Sequence, residues 1–124
     1  MNIGIVGSAG EDKAIKFLKK NKYKIIIKNY QTYFGELDIV CQKEGFIIFV
    51  EVKTRSENYM VSGRDAVSPS KQKKIIKAAM QYLQTHKTGL QPRFDVVEIT
   101  LKNGKDEIVH IENAFTVGGY HGFI

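Results

Sequence analysis

Hydrophobic positions recur along this chain at two different periods. Ala14, Ile15 and Leu18 share one face at a spacing of three to four, with Phe17 beside it, and predict a helix over 8–21. Ser8 followed by Glu11 fits a capping box at its start, and Asn21 fits a stop. A β-branched run over 23–29 then predicts a strand. Tyr33-Phe34-Gly35 reads as a turn. The segment 36–42 alternates, with Leu37, Ile39 and Cys41 on one face and Glu36, Asp38 and Val40 on the other. After a hairpin signal at Lys43-Glu44-Gly45, Phe46 to Arg55 opens with five residues apolar on both faces, as a central buried strand does.

Residues 56–68 carry no period and read as a mobile loop. Ser68 as N-cap and Pro69 at the first helical position then open a second helix. Its apolar stripe is Ile75, Ile76, Ala79, Tyr82 and Leu83, lysines occupy its other face, and it should end near 86–89. Strands over 94–101 and 107–113 flank an Asn103-Gly104 turn. The expected order is α-β-β-β-α-β-β, a mixed α/β fold in one domain spanning 1–124, with loose termini at 1–7 and 116–124.

Composition bounds this picture without changing it. With 124 residues, two separate cores would hold about 60 residues each, a marginal size. The contents of 43% hydrophobic and 26% charged residues are those of an ordinary globular protein. The longest uncharged apolar run, Phe46 to Val50, is far short of the roughly 20 residues that span a bilayer, so no membrane partner is expected. The first residues carry no basic segment of a signal peptide, and the single cysteine suits a reducing cytoplasm.

Charge changes the picture more. The net charge is +6, and 14 of the 19 basic residues fall in segments 11–28 and 53–77, which together sum to +10. A basic field this concentrated points to a polyanion, with nucleic acid ahead of anionic membrane. A solvated lysine surface gives the same count, so charge alone does not decide.

The chemistry is concentrated on two strands. Strand period puts Glu51 and Lys53 on one face, following Ile47 and Phe49. Stripping such a pair of water costs several kcal/mol per ion, so a buried strand does not carry it idly, although an ion pair capping a sheet edge would have the same pattern. Asp38 lies on the preceding strand, across the hairpin, where its carboxylate and that of Glu51 can converge. Two carboxylates, a backbone carbonyl and waters form an oxygen site suited to Mg²⁺ or Mn²⁺, with a lysine beside it to orient a water.

Gly35-Glu36-Leu37-Asp38 followed by Phe49-Val50-Glu51-Val52-Lys53-Thr54-Arg55 resembles the D…(D/E)-x-K signature of restriction-endonuclease-like nucleases. More narrowly, the ordered set resembles the YraN-like family of small bacterial proteins, itself similar to Holliday-junction resolvases. That set adds Gly10-Glu11, Asn29, Lys71, Arg93-Phe94-Asp95-Val96 and Asn113-Ala114-Phe115. The resemblance covers about residues 10–115 and implies a restriction-endonuclease-like mixed sheet flanked by helices. It implies that Asp38, Glu51, Glu11 and the Val52 carbonyl hold the metal and that Lys53 assists the attacking water. The implied activity is a Mg²⁺- or Mn²⁺-dependent, structure-selective DNA endonuclease acting on branched DNA in recombination or repair. A nucleic-acid-binding accessory protein with an inactive nuclease core is the alternative. Residues 116–124 extend past the family's usual ending and carry no motif.

Lys71, Lys73, Lys74 and Lys77 on the second helix, with Arg55, are the expected DNA contacts. Symmetric cleavage of a four-way junction would require a homodimer. His86, His110 and His121 are too scattered for a zinc site, and Cys41 belongs to the core rather than to chemistry.

Overall fold

The computed structural model describes residues 3–56 and 67–117, with side chains from residue 9 onward. Its elements are α1 (Ile3–Lys20), β1 (Lys24–Thr32), β2 (Gly35–Lys43), β3 (Phe46–Ser56), α2 (Pro69–Thr85), β4 (Gln91–Leu101) and β5 (Glu107–Phe115). The order α-β-β-β-α-β-β is the one expected. One five-stranded sheet runs β1-β2-β3-β4-β5, antiparallel throughout except for the parallel pair β3–β4 that α2 connects. β3 is the central strand, as its doubly apolar start predicts. Ala14 and Leu18 of α1 pack with Ile39, Cys41, Ile48 and Val50 in one core cluster. Ile75, Ile76 and Ala79 of α2 pack with Val40, Ile47 and Phe49 in the other.

Two local features depart from the sequence reading. α1 begins at Ile3, so Ser8 lies inside the helix instead of capping it. A serine in a helix interior costs only about 0.5 kcal/mol, so a chance Ser-x-x-Glu spacing does not stop a helix that continues through Ile3, Ile5 and Val6. The helix ends through Lys22, at φ +73°, with Tyr23 N–H bonded to Leu18 C=O at 2.9 Å and Lys22 N–H to Lys19 C=O at 3.1 Å. This is the two-bond helix stop usually built on glycine. The contact of Tyr23 with Leu18 in the core compensates for a lysine in that conformation.

The second departure is in β2. Leu37 packs with the α2-side cluster and Ile39 and Cys41 with the α1-side cluster, so the three do not share a face. The break falls at Asp38. Opposite it on β1, Asn29 adopts φ +55°, and the β2–β3 pairing ends at Ile39–Val50. Asp38 replaces the next rung with its side chain, whose Oδ2 accepts the Val52 N–H at 2.9 Å.

The other turns follow their sequences. Glu44 and Gly45, at φ +50° and +88°, form the two-residue β2–β3 turn. Ser68 caps α2, its hydroxyl accepting the Lys71 N–H, and Pro69 occupies the first turn. The expected loop falls mainly on residues 57–66, and the tail on 118–124, both outside the described residues.

Candidate functional site

The carboxylates meet where α1, the break in β2 and the second half of β3 come together. α1 approaches β3 closely at Gly10: a β-carbon there would collide with Thr54 Oγ1. Glu11, the next residue, is thereby held at the sheet, on the same helix face as the fully buried Ala14 and Leu18. Carboxylate oxygens of Glu11, Glu36 and Asp38 all lie within 4.8 Å of one another. The left-handed residue Asn29 opposite Asp38 is near enough for its side-chain amide to lower the Glu11 carboxyl against the effect of burial.

Glu51 adjoins this cluster from β3. Its carboxyl is pushed up to about 7, first by burial and then by the negative charge of Asp38. Asp38 is raised too, by burial above all, although the Val52 N–H and the Lys71 and Lys53 charges pull it back. Glu11 and Glu36 are raised by partial burial and by Asp38. Four acids with elevated pKa values at one point are a site in want of positive charge.

Lysines supply part of that charge. Lys53 Nζ lies 3.9 Å and Lys71 Nζ 3.5 Å from Glu51 Oε2. Glu51 is only 7% exposed, whereas the lysine side chains are 36% and 46% exposed and reach solvent. Lys71 and Lys74 line a groove with Phe34, Gly35, Glu36 and Ile75 that opens beside the acids. Lys77 continues it, its ammonium 5.8 Å from the Phe34 ring centre. Lys73 is exposed one step further around α2. Arg55 is turned to Glu98, with which it forms an ion pair, and its side chain is 11% exposed.

The geometry therefore brings together Glu11, Asp38, Glu51, Lys53 and Lys71 from the expected set. It adds Glu36, which sequence reasoning quoted but gave no role. The signal was available, because Glu36 and Asp38 stand two apart on one strand. Val52 meets the site through its amide N–H. Cys41 is fully buried and its thiol is pushed up to about 12 by burial, consistent with a core role. His110 Nε2–H donates to Asp95 Oδ2 at 2.7 Å, within a buried network that includes Arg93, and His86 stacks on Tyr82. Among the described residues no helix is long and apolar enough to cross a membrane.

Comparison with known proteins identifies the lineage. The model of the uncharacterised protein family UPF0102 matches residues 10–99, a span that holds Glu11, Glu36, Asp38, Glu51, Lys53 and Lys71. The chain is 45% identical over 111 residues to a UPF0102 protein of Syntrophomonas wolfei, covering 89% of this chain and 96% of the relative. It is 41% identical over 113 residues to UPF0102 proteins of Clostridium beijerinckii and Alkaliphilus oremlandii, covering 89% of this chain and 92% and 97% of theirs. Likeness over nearly the whole of both chains, with every acid of the cluster inside the matched span, means that the chain belongs to the UPF0102, YraN-like family.

Proposed function

We propose that this protein is a divalent-metal-dependent endonuclease that hydrolyses phosphodiester bonds in branched DNA. The observation that carries the reading is the convergence of Glu11, Glu36 and Asp38 within 4.8 Å, with buried Glu51 close enough to feel the Asp38 charge and Lys53 beside it. The donor set fits a hard cation. It is all oxygen, it is partly buried, and its carboxyl groups resist ionisation until a positive charge joins them. No sulfur or imidazole lies in it, which favours Mg²⁺ or Mn²⁺ over zinc.

Asp38, Glu11, Glu36 and Glu51 would hold the ion, with the Val52 carbonyl as a further oxygen. A cation there supplies polarisation of a phosphoryl oxygen and a more acidic bound water. Lys53, exposed at its tip and anchored by Glu51, orients the attacking water and offsets the charge that grows on the phosphoryl oxygens. Lys71, Lys74 and Lys77 draw the phosphate backbone along α2, and Lys73 adds to the field outside the groove. Arg55 joins them where it can leave Glu98. A four-way junction cut symmetrically would be bound by two copies of the chain.

The test is incubation with a panel of branched and linear DNAs in Mg²⁺, Mn²⁺ or EDTA. Cleavage confined to the metal-containing reactions, and favouring branched over linear duplex, is expected. Binding without cleavage in either metal would replace this reading with that of an inactive, nucleic-acid-binding core.

A further inference from the structure

The hairpin turn between β1 and β2 presents two aromatic rings to solvent beside the acidic cluster. Tyr33 is 87% exposed and Phe34 39%, and their rings stand edge to face at 5.2 Å. Nothing in the turn calls for aromatic residues. Its positive φ is taken by Gly35, and two-residue hairpin loops favour small polar residues and glycine. The backbone is nevertheless pinned: Tyr33 N–H donates to Gln81 Oε1 on α2 at 3.0 Å, and Phe34 N–H to Thr32 Oγ1 at 3.0 Å. The rings are therefore held at a fixed place, without being packed into a core.

Their surroundings are cationic. Lys77 lies over the Phe34 ring, and Phe34 shares the groove of Lys71 and Lys74 with Glu36, a member of the acidic cluster. Aromatic faces beside a lysine track are the combination that binds unpaired strands, where base faces are free to stack. Paired bases in a duplex offer no such faces. An apolar partner protein would gain nothing from the lysines.

We infer that Tyr33 and Phe34 form a stacking platform for an unpaired nucleobase, with Lys71, Lys74 and Lys77 holding the phosphates that lead from it to the acidic cluster. This rests on the nuclease reading and narrows its substrate to DNA with unpaired nucleotides next to the cleaved bond, as at a fork, flap or opened junction. Tyr33 and Phe34 select by stacking and take no part in the hydrolysis.

The experiment is a fluorescence titration, with EDTA or with Ca²⁺, of a forked DNA carrying 2-aminopurine at its first unpaired position, against a fully paired duplex of equal length. Wild type should bind the fork about ten- to a hundred-fold more tightly than the duplex and quench the probe. Tyr33→Ala should remove most of this preference, Phe34→Ala the rest, with duplex affinity unchanged, and Tyr33→Trp should keep it. Because Tyr33 is solvent-exposed, a melting curve matching wild type is expected for its variants. Equal wild-type affinity for fork and duplex, or a preference that survives both alanine variants, overturns the platform. Since no step in the titration is hydrolysis, stacking that persists in a protein that never cleaves overturns only the nuclease reading. Failure to bind either DNA at low salt overturns both.

Discussion

Asp38 and Glu51 face each other as a buried carboxyl pair across the point where β2 leaves β3, each pushed up by burial, and the Val52 N–H secures the Asp38 end at 2.9 Å. Two buried carboxyl groups that both resist ionisation give the metal-free protein a distinct dependence on pH. Glu51 is raised from 4.5 to about 7, so its protonated form is the one the fold favours. That contribution is fully present below about pH 4.5 and is lost as pH rises through 7, with a magnitude on the order of 1–3 kcal/mol. In EDTA, wild type should lose melting temperature between pH 5 and pH 8, and Glu51→Gln should show a flatter profile and a higher melting temperature at pH 8. Mg²⁺ should raise the wild-type value most at the alkaline end. Parallel profiles for wild type and variant would mean that Glu51 ionises normally.

Gly10 makes the position of Glu11 testable without touching a carboxylate. A β-carbon at Gly10 meets Thr54 Oγ1, and threonine, branched at its own β-carbon, has few rotamers into which to retreat. Gly10→Ala should cost about 1–3 kcal/mol by overpacking and weaken Mg²⁺ binding by displacing Glu11. Adding Thr54→Ala should recover both. Calorimetric titration with Mg²⁺ and thermal melting of the single and double variants check this. Unchanged binding in Gly10→Ala would remove Glu11 from the ligand set.

Glu11→Gln and Glu36→Gln separate the members of the triad. Glutamine preserves the size and the hydrogen-bonding capacity of each side chain but removes a charge. Each should leave the melting temperature near or above wild type in EDTA, because mutual repulsion is relieved, and should weaken Mg²⁺-dependent cleavage at least tenfold. A variant with full activity is no ligand.

The lysines on α2 should be visible in the salt dependence. Each phosphate neutralised on duplex DNA contributes about −0.9 to the slope of log K against log salt. Replacing Lys73 and Lys74 with alanine should reduce the slope by up to about 1.8 while leaving Mg²⁺ binding intact. Anisotropy titrations across a salt series measure it, and an unchanged slope would move the binding face away from α2.

How much of this was legible in the sequence depends on the kind of signal. The central strand, the Ser68–Pro69 helix start and the Glu44–Gly45 turn are local, and each appears where its residues predict. Asp38, Glu51 and Lys53 were legible as acids and a base interrupting apolar strands. The break at Asp38 was not, because it depends on Asn29 entering the left-handed region on another strand and on Asp38 accepting a backbone N–H from a third. Leu37 was consequently assigned to the wrong face. Glu36 was legible as the same-face neighbour of Asp38, but its nearness to Glu11 was not, because Glu11 comes from a helix. Ion pairing hid Arg55 likewise, since Glu98 lies more than forty residues away in sequence.

The nuclease proposal stands on the acids at the β2 break being able to hold a cation that DNA cleavage would require. Its most direct test is cleavage of a branched DNA by wild type and Asp38→Asn, purified in parallel and assayed with Mg²⁺, Mn²⁺ or EDTA. Wild type should cut only with metal, and Asp38→Asn should bind the same DNA but not cut it in any buffer. Equal cleavage by the two proteins, or cleavage by wild type in EDTA, would contradict the account.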